Sequence, residues 1–352
     1  MDSGQYIAPL RSRTAFRQYA EKWLPTQGSD PNTQASMESQ LRLHAFPHIG
    51  ARPPGSFLPE HVREWVAELE ENGTRGPYAR TLYSNVRSVL SAAVDDGYLN
   101  RNPCAARTVK PPAVERKRVV PWTAERVFAV RAALPERYQA MPDLGAGCGL
   151  RAAGCGLRQG EILGVPEDAF NFEADVLQVV QQLKLSRSKP VFAPPKGGKL
   201  RDVPLPGPVA DAMRTHIKRF PPVEITLPWK TADGPKVTKR LIFTAPMGNR
   251  VWRTSLNEEA WKPALVAAGV IPQPETKEEG YAAAREHGMR ALRHFYASAL
   301  LDGGESIKAV SEYLGHSDPG LTLRVYAHLM PSSQERTRKA IASVYGRGRN
   351  PS

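Results

Sequence analysis

The chain's 352 residues are enough for two domains with their own cores. Its 48 Lys and Arg outnumber its 35 Asp and Glu, giving a formal net charge of +13. That balance points to a polyanionic partner, because each cation that meets a phosphate releases counterions. No apolar run approaches the ~20 residues of a membrane span, which excludes an integral membrane protein of helical type. The start, Met1-Asp2-Ser3-Gly4-Gln5-Tyr6, lacks the pattern of a signal peptide. The cysteines are Cys104, Cys148 and Cys155, an odd, low count that suits a reducing cytoplasm and not a disulfide scaffold. No histidines stand at zinc-finger spacing from them, so a metal site is not expected.

Residues 1–12 carry no helical or strand period and are expected to be the remnant of an N-terminal arm segment. Residues 13–108 read as helical. Over 60–69, Val62, Trp65, Val66 and Leu69 share one face, with Pro59 where a helix start tolerates proline. A second run holds Leu82, Val86, Val89, Leu90 and Ala93 at the same spacing, and Asp95-Asp96-Gly97 stops it. Arg80, Arg87 and Arg101 lie off the apolar stripe, where as a group they suit phosphate contacts. Residues 109–121, with Lys110, Arg116, Lys117 and Arg118 among prolines, read as an extended basic linker.

The pattern is mixed from Trp122 to the end of the chain. Strands are expected over 175–185 and 199–205, with Lys196-Gly197-Gly198 as the turn before the second. A hairpin is expected from 225–229 and 240–244 around Asp233-Gly234, and 254–343 reads as mostly helical. One short repeat stands out. Gly147-Cys148-Gly149-Leu150-Arg151-Ala152-Ala153 is followed at once by Gly154-Cys155-Gly156-Leu157-Arg158-Gln159-Gly160, as in a tandem duplication. The added glycines make a continuous helix costly, so an irregular loop is expected before the helix that holds Glu161.

Two late segments carry the chemistry. The first is Met289-Arg290-Ala291-Leu292-Arg293-His294. The second is Leu314-Gly315-His316-Ser317-Asp318, followed ten residues after the histidine by Tyr326. Attack on a phosphodiester builds negative charge on its non-bridging oxygens. Guanidiniums hold such oxygens with paired hydrogen bonds and stay charged at any working pH. Arg158 and Arg293 are the candidates, with Arg151 of the first repeat copy the alternative to Arg158, which is favoured because only it is followed by Gln159-Gly160-Glu161; an isolated arginine is more often a surface ion-pair partner. Tyr326 is the candidate nucleophile, a phenol whose attack needs help from positive charge or proton transfer. His316 is placed to hydrogen-bond the phosphate or assist that proton.

In order and spacing these motifs, with Gly156-Leu157-Arg158-Gln159-Gly160-Glu161 and Pro195-Lys196-Gly197-Gly198-Lys199, resemble the tyrosine recombinase (phage integrase) family over nearly the whole chain. The resemblance implies a mainly α fold. A helical, SAM-like core-binding domain over 13–108 precedes a mostly helical catalytic domain with a small antiparallel sheet over 122–352. It implies a site-specific recombinase or integrase of a mobile element, which cuts and rejoins double-stranded DNA at attachment sites through a 3′-phosphotyrosyl intermediate. It would work as a homotetramer without cofactor, with a directionality factor as a possible accessory. The family pattern makes Lys196 the general acid, with Lys199 its competitor, and gives Glu161 the part of the acidic residue that orients the site.

One departure stands at Arg290, where the family usually has histidine. An arginine still donates to a phosphate oxygen, but it does not exchange protons near neutral pH. His294 is expected to be structural, as are Tyr296 and Tyr313. A C-terminal helix over 332–345 is expected to dock on a neighbouring protomer or on its own chain. The alternative from the same family is a DNA-binding relative with impaired or lost strand cleavage. A type IB topoisomerase shares the chemistry but not the core-binding region, and a metal-dependent nuclease lacks its acidic ligand cluster.

Overall fold

The computed structural model describes residues 14–115, 118–146, 155–276, 279–282 and 285–329. The expected arm remnant, Arg116 and Lys117 of the linker, the first repeat copy with Arg151, and the C-terminal helix over 332–345 lie outside the described residues. The chain divides into two compact units, 1–117 and 118–352.

The first unit is helical. Its principal helices are α1 (Phe16–Trp23), α2 (Pro31–His44), α3 (Pro59–Glu71) and α4 (Gly76–Asp95). Asp30 caps α2 by accepting a hydrogen bond from the backbone N–H of Asn32. In α3 the buried stripe is Val62, Trp65 and Leu69. In α4 it runs from Ala79 through Leu82, Val86 and Val89 to Ala93. Gly97, at φ +74, follows the last turn of α4. Trp65 and Tyr83 anchor the core and satisfy their polar ends. The Trp65 indole N–H donates to His44 O at 2.7 Å, and the Tyr83 hydroxyl donates to Cys104 O at 2.9 Å. Truncating either ring would cost about 3–5 kcal/mol. Arg80, Arg87 and Arg101 are exposed, off the stripe.

The second unit begins with α5 (Ala124–Ala133), α6 (Met141–Ala146) and the short α7 (Gln159–Leu163). Strands follow: β1 (Phe170–Asn171), β2 (Val176–Val179), β3 (Gln182–Ser186), β4 (Lys189–Ala193) and β5 (Arg201–Pro204). Beyond them lie α8 (Gly207–Arg219) and the hairpin of β6 (Val223–Pro228) and β7 (Lys236–Leu241). A π-helical turn, Leu256–Trp261, runs into α9 (Lys262–Ala267). The last described helices are α10 (Arg290–Asp302), α11 (Ile307–Leu314) and α12 (Pro319–Tyr326).

The strands make three small antiparallel sheets. One has the order β1-β2-β5, with Leu177 opposite Val203, and the others are the pairs β3-β4 and β6-β7. The strand expected over 175–185 is therefore two strands in different sheets. Between them the buried Gln181 turns its side chain to donate to Gly164 O at 2.7 Å. The partner β4 was hidden because its turn, Arg187-Ser188, adopts positive φ without the usual Asn or Gly. The later hairpin forms a few residues from its expected second strand.

Two apolar clusters organise this unit. The larger includes Leu144, Leu157, Ile162, Leu177, Val203 and Leu292. The smaller comprises Tyr296, Ala297, Leu301, Val310, Leu314 and Tyr326, from α10, α11 and α12. The fold is mostly helical with small antiparallel sheets, as the sequence implies. No described helix is long and apolar enough to cross a membrane.

Candidate active site

Arg158 is the N-cap residue of α7, with extended backbone. Glu161 lies one turn on, where its carboxylate reaches back. It accepts from the Arg158 backbone N–H at 2.9 Å and from the Arg158 guanidinium at 2.9 Å. Arg201, from β5, donates to both oxygens of the same carboxylate at 3.1 and 2.7 Å, and its Nε donates to Tyr313 O at 2.7 Å. Glu161 is 1% exposed. Burial alone would raise its carboxyl, but hydrogen bonds and charge from Arg201, then the charge of Arg158, hold it below the ordinary range. It is therefore an ionised anchor between two arginines, not an ordinary first-turn carboxylate.

Arg158 also donates to Gly315 O at 3.3 Å. Arg293, on α10, is 6% exposed. Its Nη1 donates to Gly156 O at 2.7 Å and its Nη2 donates to Leu314 O. Burial, followed by the charge of Arg158, pushes its guanidinium down to about 9, so it stays charged at neutral pH. Gly156 must be glycine for two reasons: its φ is +57, and a Cβ there would sit 2.4 Å from the Tyr296 ring. Gly315 closes α11 in the left-handed conformation at φ +61, which turns the chain into His316.

His316 Nδ1 shares a hydrogen bond of 2.7 Å with the buried hydroxyl of Thr322. Burial, then the charges of Arg293, Arg158 and Arg290, push its imidazole down to about 4, so it is neutral at neutral pH. Lys199 Nζ donates to His316 O at 3.4 Å. Lys196 sits exposed in the turn, followed by Gly197 at φ +82. Neither the Lys196 nor the Arg290 side chain makes a hydrogen bond or ion pair among the described residues. The charge of Arg290 nevertheless reaches His294, His316 and Tyr326.

Tyr326 ends α12 and is 2% exposed. Its hydroxyl meets His294 Nδ1 at 2.7 Å. Burial raises the phenol, and the charges of Arg293 and Arg290 oppose that rise. His294 is pushed down to about 4 by burial and then by Arg290 and Arg293.

The structure thus links Arg158, Glu161, Arg293 and His316 through the Gly315 turn, and joins Tyr326 to α10 through His294. The charges of Arg293 and Arg290 act on both His316 and Tyr326. Sequence reasoning missed Arg201, Thr322 and the contact of His294 with Tyr326. A signal for Arg201 was present: Val203 and Leu205 are buried core residues, and strand alternation puts residue 201 on their face.

Residues 16–109 match the model of the phage integrase central domain, and residues 129–333 match that of the phage integrase family. The chain is 26% identical to a tyrosine recombinase XerC-like protein of Caldanaerobacter subterraneus subsp. tengcongensis, over 81% of this chain and 70% of that protein. It is 24% identical to the integrase of Mycobacterium phage L5, over 89% of this chain and 75% of the relative. In fold it is similar to the Tn1549 transposon integrase, solved in complex with transposon right end DNA. The TM-score is 0.74 at 18% identity, over 94% of this chain and 99% of the other. A lambda integrase tetramer bound to a Holliday junction matches with a TM-score of 0.61 at 13% identity, over 94% of this chain and 82% of the other. With its second unit matched across 129–333 and its first across 16–109, the chain belongs to the phage integrase family.

Proposed function

We infer that this chain is a tyrosine-type site-specific DNA recombinase that breaks and rejoins double-stranded DNA. The observation that carries the reading is the arginine pair. Arg158 and Arg293 are fixed by Glu161 and by the carbonyls of Gly156, Leu314 and Gly315, beside a neutral His316. Such a site supplies fixed positive charge for a phosphate in the transition state at no reorganisation cost. Arg158 and Arg293 hold the non-bridging oxygens, and Arg290, exposed and charged, adds a further donor. His316 donates from Nε2 when its Nδ1 accepts from Thr322. Tyr326 attacks phosphorus and the 5′ oxygen leaves, which gives a 3′-phosphotyrosyl intermediate. The lysine turn 196–199 protonates the leaving oxygen, with Lys196 as the acid by its motif. Glu161 positions Arg158.

The partner is DNA, contacted by a chain with net charge +13. A homotetramer on paired attachment sites is the assembly this reading implies, supported by the likeness in fold to the lambda integrase tetramer. A directionality factor is a further expectation of the same reading.

The test is covalent capture. Nicked duplexes with a randomised core are incubated with the full chain, and denaturation-resistant adducts are recovered and sequenced. The wild type should trap DNA of a restricted sequence. Tyr326→Phe should bind the same DNA but trap none, because the attacking oxygen is gone. Adducts formed by Tyr326→Phe at the wild-type rate would end the assignment of Tyr326, and no adduct from the wild type would end the recombinase reading.

A further inference from the structure

The family's histidine is missing at position 290, and the arginine there does not take up a proton near neutral pH. The nucleophile nevertheless has an acceptor. His294 Nδ1 lies 2.7 Å from the Tyr326 hydroxyl, within the range of a hydrogen bond along which a proton can pass. The rings stand 5.7 Å apart at 57°, so the imidazole meets the hydroxyl and does not stack on the phenol. His294 comes from α10, the helix that also carries Arg290 and Arg293, so one rigid element carries two phosphate donors and this acceptor.

On the recombinase reading above, we propose that His294 is a catalytic residue, the general base that takes the Tyr326 proton. As the Tyr326 Oη–phosphorus bond forms, the phenolic proton passes to His294 Nδ1. The phosphorus–O5′ bond breaks, and O5′ takes its proton from the lysine turn. Resealing runs the same steps backward. O5′ attacks the phosphotyrosine and gives its proton to the lysine, and Tyr326 leaves with the proton held by His294. Atoms and charges balance, and no metal or oxidant is involved.

The surroundings fit this direction of transfer. The titratable and charged groups facing the imidazole are Tyr326 from α12 and, on its own helix, Arg290 and Arg293. They and burial keep His294 unprotonated at neutral pH and so able to accept. A bound phosphodiester brings negative charge next to both arginines. It offsets their repulsion of the imidazolium and raises the basicity of His294 when substrate is present. The base is therefore strengthened by the substrate it serves. Arg290 fits the scheme as a phosphate donor whose former proton-handling duty has moved four residues along the same helix, a spacing that keeps one face.

The test uses the full chain and a nicked duplex recovered with the wild type, in single-turnover cleavage. His294→Gln keeps a hydrogen-bonding side chain without a base. It should bind the duplex within a few-fold of wild type and cleave about 10²–10⁴-fold more slowly. His294→Asn serves if the Gln variant does not fold, with melting followed by circular dichroism. The wild-type rate should rise with pH along an acid limb as the imidazolium is lost, and the Gln variant should lack that limb. Replacing the bridging 5′ oxygen with sulfur supplies a leaving group that needs no proton. It should restore a Lys196→Ala or Lys199→Ala variant but not His294→Gln. A folded His294→Gln protein cleaving within about threefold of wild type would overturn the proposal, as would retention of the acid limb or rescue by the sulfur substrate. A wild type that forms no adduct at all would overturn the recombinase reading instead.

Discussion

The Arg201 guanidinium donates to both oxygens of Glu161, at 3.1 and 2.7 Å, while the same carboxylate holds Arg158. One buried carboxylate therefore fixes two arginines from different elements, one at the start of a helix and one on a strand. Arg201 also ties Tyr313 O, at the last turn of α11, to this pair, so the strand, α7 and the turn leading to His316 form one polar unit. Charge inside such a unit is ordered before any substrate arrives, which is the condition for electrostatic catalysis.

Glu161→Ala leaves two arginines facing each other with their shared counter-charge removed. Breaking a buried pair this way costs about 3–5 kcal/mol. Urea unfolding of the variant should show that loss, and covalent capture of DNA should fall with it because Arg158 loses its tether. Glu161→Gln keeps the shape but not the charge and is expected to fall between the two. An alanine variant as stable as wild type would show that the carboxylate is not the anchor.

Lys196 and Lys199 are the two candidates for the general acid. The motif assigns the role to Lys196, yet it is Lys199 whose ammonium reaches His316 O, at 3.4 Å. Removal of the acid should slow single-turnover cleavage by about 10²–10⁴-fold. Lys196→Ala is expected to show that loss, and Lys199→Ala a smaller one through the His316 turn. The reverse ranking would move the acid to Lys199.

Arg290→His restores the residue usual in this family. The variant loses a permanent positive charge that lowers both His294 and His316, and it gains a group that exchanges protons. Cleavage is expected to be unchanged or faster. A large loss would show that the site is built around the arginine's charge.

The helical first unit was legible because its apolar residues recur at helical spacing and its ends carry proline and glycine. Val62, Trp65 and Leu69 are buried as read. Arg158, Arg293, His316 and Tyr326 stand out in the sequence as candidates because specific neighbours accompany each. What was not legible is how they hold one another. Strand alternation puts Arg201 on the buried face but does not say which carboxylate it meets, and its partner Glu161 is 40 positions away. His294 follows a catalytic candidate directly, a position that says nothing about whether its ring turns toward Tyr326, 32 residues on. The strand break at Gln181 depends on one side chain finding Gly164 O, which no periodicity encodes.

Acid should weaken the fold through imidazoles that the native state holds neutral. His294 and His316 are held down to about 4, and burial lowers His216 as well. The unfolded chain takes up these protons near pH 6.5. Between pH 6.5 and 4 the unfolded state therefore binds more protons than the native state, and stability falls as pH falls. Above that window both states hold neutral imidazoles, and the stability contribution is fully present. By pH 5 the loss should be about 2 kcal/mol for His294 and less for His316, whose ring is more open to solvent. Carboxylates such as Glu161, lowered in the native state, act in the same direction at lower pH, where the unfolded carboxyls begin to protonate. The measurement is the urea midpoint of the full chain at pH 7 and pH 5, for the wild type and for a His294→Gln, His316→Gln double variant. The wild type should lose clearly more between the two pH values than the double variant. Equal losses would show that these imidazoles are not held neutral by the fold.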